Sequence, residues 1–141
     1  MSPEEKEALV AVAMEARQRA HAPFSSYRVG AAVRSVSGEI FSGCNVEVSN
    51  YSDGCCAERV AVFKAVSSGH KRLDTCVVVA GAEPPTGPCG ACRQVLFDFG
   101  QDLEVILVDT EGRVRLELPL AEIFPLAFGP EHLADYMDRD R

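Results

Sequence analysis

Two short cysteine stretches, Cys55-Cys56-Ala57-Glu58-Arg59 and Pro88-Cys89-Gly90-Ala91-Cys92-Arg93, constrain this chain more than any other feature. Cys56, Cys89 and Cys92 can offer three thiolates to one zinc ion and leave a fourth position for water, the ligand count of a catalytic rather than a structural zinc site. For that to happen, the fold must bring two segments far apart in sequence to one point. Each opens a run with helix-like apolar spacing, so the expected solution is two helices whose N-terminal ends converge, where free N–H groups and the helix dipole favour negative charge. Taken alone, Cys89 and Cys92 fit either a zinc pair or a thioredoxin-like redox couple.

The rest of the chain is read around these two helix starts. Residues 3–21 have apolar Leu9, Val10, Val12, Ala13, Ala16 and Ala20 at roughly helical spacing, with Ser2 as N-cap, Pro3 in the first turn and Pro23 as the stop. Residues 28–35 and 39–44, joined by Ser37-Gly38, read as a β-hairpin. Residues 45–55 are too polar and turn-rich for an element interior and form a loop leading into the site. A helix is expected over 56–68, apolar on more than one side and stopped by Gly69, and a second buried helix over 90–99, closed by Gly100. Residues 75–80 and 103–109 are β-branched or aliphatic runs without alternation, as expected of strands covered on both faces. Residues 114–118 suit an edge strand, 120–124 a short helix, and 131–141 a polar tail. Strands alternating with helices imply an α/β domain of three layers, α/β/α, around one sheet.

Composition narrows the function. With 141 residues and 47% hydrophobic content the chain suits one domain, residues 1–141, with one core. The net charge of -7 argues against a nucleic-acid surface, which needs clustered Lys and Arg. The acidic N-terminus does not resemble a signal peptide, and no apolar run approaches the roughly 20 residues that span a bilayer, so a cytoplasmic, membrane-free protein is expected. Six cysteines would make three disulfides in a secreted protein; without a signal peptide the same spacing favours a metal or redox site.

Glu58 stands two residues after Cys56, in the first turn of its helix. One reading is a helix-start carboxylate favoured by the dipole; beside a zinc water it becomes the group that takes the proton and passes it on. Three thiolates leave the ion with net negative charge, which Arg59 and, as an alternative, Arg93 can offset by donating to the sulfurs. Otherwise both are surface arginines. Cys44 and Cys76 fall in expected strands and read as small core residues. Cys55 is a competing ligand in poorer register with Glu58. His21, His70 and His132 have no partner at metal spacing and read as solvated histidines.

At this point the chain resembles the cytidine deaminases, specifically the short, three-cysteine, homotetrameric kind. The zinc-deaminase signature of a ligand, one residue, Glu, and later Pro-Cys-x-x-Cys is matched by Cys56-Ala57-Glu58 and Pro88-Cys89-Gly90-Ala91-Cys92, with Cys in place of His. Further matches follow in order from Pro23 to Leu133. They include Ala22-Pro23-Phe24-Ser25-Ser26-Tyr27-Arg28-Val29-Gly30-Ala31-Ala32, Gly43-Cys44-Asn45-Val46-Glu47, Cys89-Gly90-Ala91-Cys92-Arg93-Gln94-Val95-Leu96 and Ala127-Phe128-Gly129-Pro130.

The resemblance implies a Zn²⁺ cofactor, a mixed central sheet, and hydrolytic deamination of cytidine and deoxycytidine in pyrimidine salvage. It implies that Asn45 and Glu47 hold ribose hydroxyls, that Tyr27 stacks on the pyrimidine where the family usually has Phe, and that Ala57 borders the substrate. It further implies that Ser49 and Tyr51 reach the nucleoside from one neighbouring subunit and Phe128 from another, so that the site is completed only in a tetramer. Two departures stand out: Val48 replaces the Asn that normally follows the ribose-binding Glu, and Asp53-Gly54 gives an acidic, flexible approach to Cys56. Competing readings are a deaminase of a modified cytidine or of an antibiotic such as blasticidin S, a structural zinc domain that binds a protein, and, against the charge, a nucleic-acid editor.

Overall fold

A computed structural model describes residues 1–81 and 83–134 of the chain. The expected tail is covered as far as Ala134, and its remainder, 135–141, lies outside the described residues. Helix α1, Pro3–Gln18, starts as its sequence dictates: the Ser2 hydroxyl accepts from Glu5 N at 3.1 Å, and the Glu5 carboxylate accepts from Ser2 N at 3.0 Å. These reciprocal bonds satisfy two donors that a helix start leaves free. The helix stops short of the expected residue 21. His21 N instead donates to Asn45 O at 3.0 Å and Glu47 N to His21 O at 2.8 Å, so pairing with a distant segment replaces the last turn.

Five strands form one mixed sheet: β1 Gly30–Ser35, β2 Ile40–Cys44, β3 Leu73–Val79, β4 Glu104–Val108 and β5 Val114–Pro119, in the order β2-β1-β3-β4-β5. Only β3 and β4 are parallel; the other pairs are antiparallel. The hairpin of β1 and β2 and the exposed edge strand β5 are as expected from the sequence. Helix α2, Ala57–Ser67, precedes β3, and α3, Gly90–Phe99, follows it and returns the chain to β4; a short helix α4, Leu120–Ile123, follows β5.

Side chains alternate between two buried faces. Ala32, Val77, Val79, Ile106 and Val108 pack with Leu9 and Ala13 of α1, and Ala31, Val33, Cys76, Val78, Val105 and Leu107 pack with α2 and with Leu96 of α3. This is why Cys76–Val79 of β3 and Val105–Val108 of β4 are apolar at every position: each face meets a helix. Two glycines let helices lie close against the hairpin. A Cβ on Gly30 would sit 2.1 Å from Ala13 O, and one on Gly43 2.3 Å from Ala57 O. Gly43 thereby sets the first turn of α2 directly on β2.

Some expectations of burial are corrected. On α2, Phe63 and Lys64 are exposed, and α3 fully buries only Cys92 and Leu96, with Gly90, Ala91 and Asp98 exposed. Both helices bury one side, while Val66 of α2 and Val95, Phe97 and Phe99 of α3 are half-buried against the same core. Cys44 is half-buried at the end of β2, while Cys76 is in the core. Among the described residues, no helix is long and apolar enough to cross a membrane.

Candidate active site

Because α2 precedes β3 and α3 follows it, both helices run antiparallel to that strand and their N-termini meet beyond its C-terminal end. Cys56 and Cys89 occupy equivalent places there, each the extended residue just before its helix, and neither thiol caps its helix. Cys92, in the first turn of α3, is fully buried. The Cys56, Cys89 and Cys92 sulfurs all lie within 4.8 Å of one another. Cys56 Sγ and Cys89 Sγ are 3.8 Å apart. Tetrahedral zinc with Zn–S bonds of about 2.3 Å spaces its sulfurs by about 3.8 Å, so the donor set fits that ion. Among the described residues, no other trio of His, Cys, Asp or Glu meets at such distances.

Charge at the cluster is balanced from within. Arg59 Nη2 donates to Cys56 Sγ at 3.5 Å. The Cys56 thiol is held down at about 5, first by its hydrogen bond with Cys92 and then by Arg59 and Cys89, all against burial. Cys92 is pushed up by the same bond with Cys56 and by burial, so the pair titrates as a unit that gives up one proton easily and keeps the second. Arg59 is held above its usual range, chiefly by Cys56. Arg93 takes no part: it donates to Pro88 O at 2.7 Å and Ile123 O at 2.8 Å, bracing the approach to α3. Cys55 lies outside the cluster, its thiol raised by burial.

Glu58 is only 5% exposed. Burial raises its pKa, and the neighbouring Cys56 charge adds to the effect. A carboxyl lifted toward neutrality is suited to taking and returning a proton.

Glu58, Ala57, Cys56, Cys89, Tyr27 and Asn45 line one cavity of about 180 Å³. Its remaining wall is Val29, Val78, Ala80, Thr86 and Gly87. A wider cleft of about 450 Å³ shares Asn45 and Cys56 and is lined also by Phe24, Ser25, Glu47, Val48, Tyr51 and Arg59. The departure at Val48 thus faces the cleft and not the sulfur cluster.

Asn45 and Glu47 are both bonded to the loop that carries Tyr27. Asn45 Oδ1 accepts from Val29 N at 2.8 Å and its Nδ2 donates to Tyr27 O at 2.7 Å. Glu47 Oε1 accepts from Phe24 N at 3.0 Å and Ser25 N at 3.1 Å, and its Oε2 accepts from the Ser25 hydroxyl. The Ser25 hydroxyl is the chief reason the Glu47 carboxyl is held below its ordinary value.

The residues expected to serve neighbouring subunits lie further out. Tyr51 is 76% exposed, with its ring 5.3 Å from that of Phe24. Ser49 is exposed and lines neither cavity. Phe128 is also exposed, lines neither, and stacks on His132 with ring centres 5.2 Å apart. Of the other histidines, His70 pairs with Glu39 at 2.8 Å. Sequence reasoning missed the wall residues Thr86 and Gly87 and the link between Ser25 and Glu47. Ser25 lies in the quoted Pro-Phe-Ser-Ser run, but nothing local marks the hydroxyl as reaching a residue beyond β2.

A family model described as the cytidine and deoxycytidylate deaminase zinc-binding region matches residues 3–108. A cytidine deaminase from Sporosarcina psychrophila is 43% identical over 129 residues, 91% of this chain and 94% of that one. The crystal structure of cytidine deaminase from Burkholderia pseudomallei superposes with a TM-score of 0.82 at 40% identity, covering 91% of this chain and all of that one. More distantly, a blasticidin-S deaminase from Bacillus cereus is 31% identical over 112 residues, 74% of this chain and 79% of that one. With two helix starts bringing three thiols and a buried carboxylate together, and with these likenesses over nearly its whole length, the chain belongs to the zinc-binding cytidine and deoxycytidylate deaminase family.

Proposed function

We propose that the protein hydrolyses cytidine and deoxycytidine to uridine and deoxyuridine, releasing ammonia. The observation that carries this reading is the buried Glu58 carboxyl beside three converging thiols, at a cavity whose other side is Tyr27 and Asn45. Cys56, Cys89 and Cys92 would hold a zinc ion, which would supply the Lewis acidity that lets a water lose its proton near neutral pH. Glu58 accepts that proton as oxygen adds to C4 of the ring. It delivers that proton to N3, then takes the second proton from the new C4 hydroxyl and passes it to the amine, which leaves as ammonia when the C4–N bond breaks and the C4 carbonyl forms. Arg59 offsets thiolate charge, Ala57 borders the base, and Tyr27 stacks against it.

Asn45 and Glu47 hold the sugar. A phosphate in the cleft would meet the Glu47 carboxylate, and Arg59, the one cation lining the cleft among the described residues, is already bonded to Cys56, which favours a nucleoside over a nucleotide. The family likeness and the outward placement of Tyr51 and Phe128 support a homotetramer in which Ser49, Tyr51 and Phe128 complete neighbouring sites. On this reading the whole chain is one domain acting in the cytoplasm in pyrimidine salvage. The likeness to a blasticidin-S deaminase keeps that nucleoside as a second substrate to assay.

The test is an ultraviolet assay of cytidine loss on the zinc-loaded protein and on Glu58→Gln. The variant should keep its zinc and lose about 10²–10⁴-fold in kcat, the range of one proton-transfer group. Near-parental turnover by that variant would remove Glu58 from the mechanism. Faster turnover of blasticidin S than of cytidine would reassign the substrate.

A further inference from the structure

Building on the reading of Asn45 and Glu47 as the sugar-binding pair, we propose that Ser25 is a positioning residue of the active site. Its hydroxyl links the Tyr27 backbone to the Glu47 carboxylate, takes one of the two acceptor positions on Oε2, and so decides which one remains to accept from a sugar hydroxyl.

The assignment follows from counting donors and acceptors. Tyr27 N donates to Ser25 Oγ at 3.0 Å, so the Ser25 proton is directed onward to Glu47 Oε2. The bonds run one way, from Tyr27 to Ser25 to Glu47. An ionised carboxylate has about four acceptor positions, two on each oxygen. On Glu47, Oε1 fills both of its positions with Phe24 N and Ser25 N, and Oε2 fills one with Ser25. One acceptor position is left, on Oε2.

The same count on Asn45 leaves one N–H, because its other N–H goes to Tyr27 O, and one position on Oδ1, because Val29 N takes the other. A sugar hydroxyl gives one proton and accepts another. It can accept from Asn45 Nδ2 and donate to Glu47 Oε2, and a single hydroxyl then satisfies both the spare N–H and the last carboxylate position. Without the Ser25 hydroxyl, Oε2 has two open positions and is held only through the bonds to Oε1, and Tyr27 N loses its acceptor. One side chain therefore fixes the acceptor position that Glu47 leaves for the sugar.

The experiment compares the parent enzyme, Ser25→Ala, Ser25→Thr and Glu47→Gln, using the KM and kcat of cytidine and the inhibition constant of 2′,3′-dideoxycytidine, which lacks both ring hydroxyls. Thermal unfolding by circular dichroism checks that each variant is folded. Ser25→Ala should raise the cytidine KM about ten-fold while changing kcat by no more than about two-fold, as for loss of a hydrogen bond to a charged group. Its affinity for the dideoxy compound should stay unchanged, and Ser25→Thr, which keeps a hydroxyl, should restore the cytidine KM. Equal weakening for both compounds, or no weakening for cytidine, overturns the inference. If Glu47→Gln separates the two compounds and Ser25→Ala does not, the inference falls and the sugar-binding reading stands. If the parent does not deaminate cytidine, or Glu47→Gln weakens both compounds alike, that reading falls and takes the inference with it.

Discussion

At the floor of the pocket, Glu58 and Cys92 are 5% and 0% exposed, and the polar contacts run between the first turns of two helices. At the rim, Asn45, Glu47 and Ser25 lie in loops open to water, and their contacts are with the backbone of residues 24–29. The difference is one of dielectric and of rigidity. Charges at the floor interact strongly because little water screens them, so each partner alters the protonation of the others. At the rim, water screens charge, and the same kinds of groups act mainly by fixing geometry. The proposed proton carrier thus sits where electrostatics are strong, and the proposed sugar-binding pair where loops are shaped by hydrogen bonds.

The largest effect that would test this division is at the floor. Cys92→Ala removes a buried thiol of the proposed ligand set, and zinc content by plasma mass spectrometry should fall from about one ion per chain to near none, with activity lost in parallel. A variant retaining full zinc would mean that the three sulfurs do not act as one site.

A smaller effect is expected from Arg59→Gln, which removes the Nη2 donor to Cys56 but no ligand. Zinc affinity in chelator competition should weaken about 10–100-fold, the usual consequence of losing a hydrogen bond to a metal ligand. Unchanged affinity would show that helix dipoles alone balance the thiolates.

The smallest effect belongs to the rim. Because the folded-state pKa of Glu47 is depressed, its contribution to stability is present above the ordinary value of 4.5 and is lost as pH falls through its lower folded value. A carbon-detected NMR titration should place the Glu47 midpoint below 4.5, and Ser25→Ala should move it upward. A midpoint indifferent to Ser25 would mean that the backbone N–H groups alone hold the carboxylate.

The floor was legible in the sequence because its signals are local. Cys56 with Glu58, and Cys89 with Cys92, are short spacings at helix starts, and a helix start announces itself by the apolar run behind it. The hairpin of β1 and β2, the both-face burial of β3 and β4, and the Ser2 cap were legible for the same reason. The end of α1 was not, because His21 is captured by Asn45 and Glu47 from the other end of the hairpin. Nor was the exposure of much of α3, since its apolar composition does not say which side meets the sheet. The neutral role of Arg93 was also hidden, as its partner Ile123 O arrives from a segment after β5.

By itself, then, the sequence marked the candidate cysteines, the carboxylate beside one of them and the layered α/β class, since Cys56 with Glu58, Cys89 with Cys92, and each strand or helix pattern depend on residues close together in the chain. Only the tertiary structure decided how close the three sulfurs come, that Glu58 is desolvated, and that Ser25 meets Glu47 across the hairpin that separates them in the chain. Those outcomes depend on which distant segments pack together, and packing is a property of the whole chain.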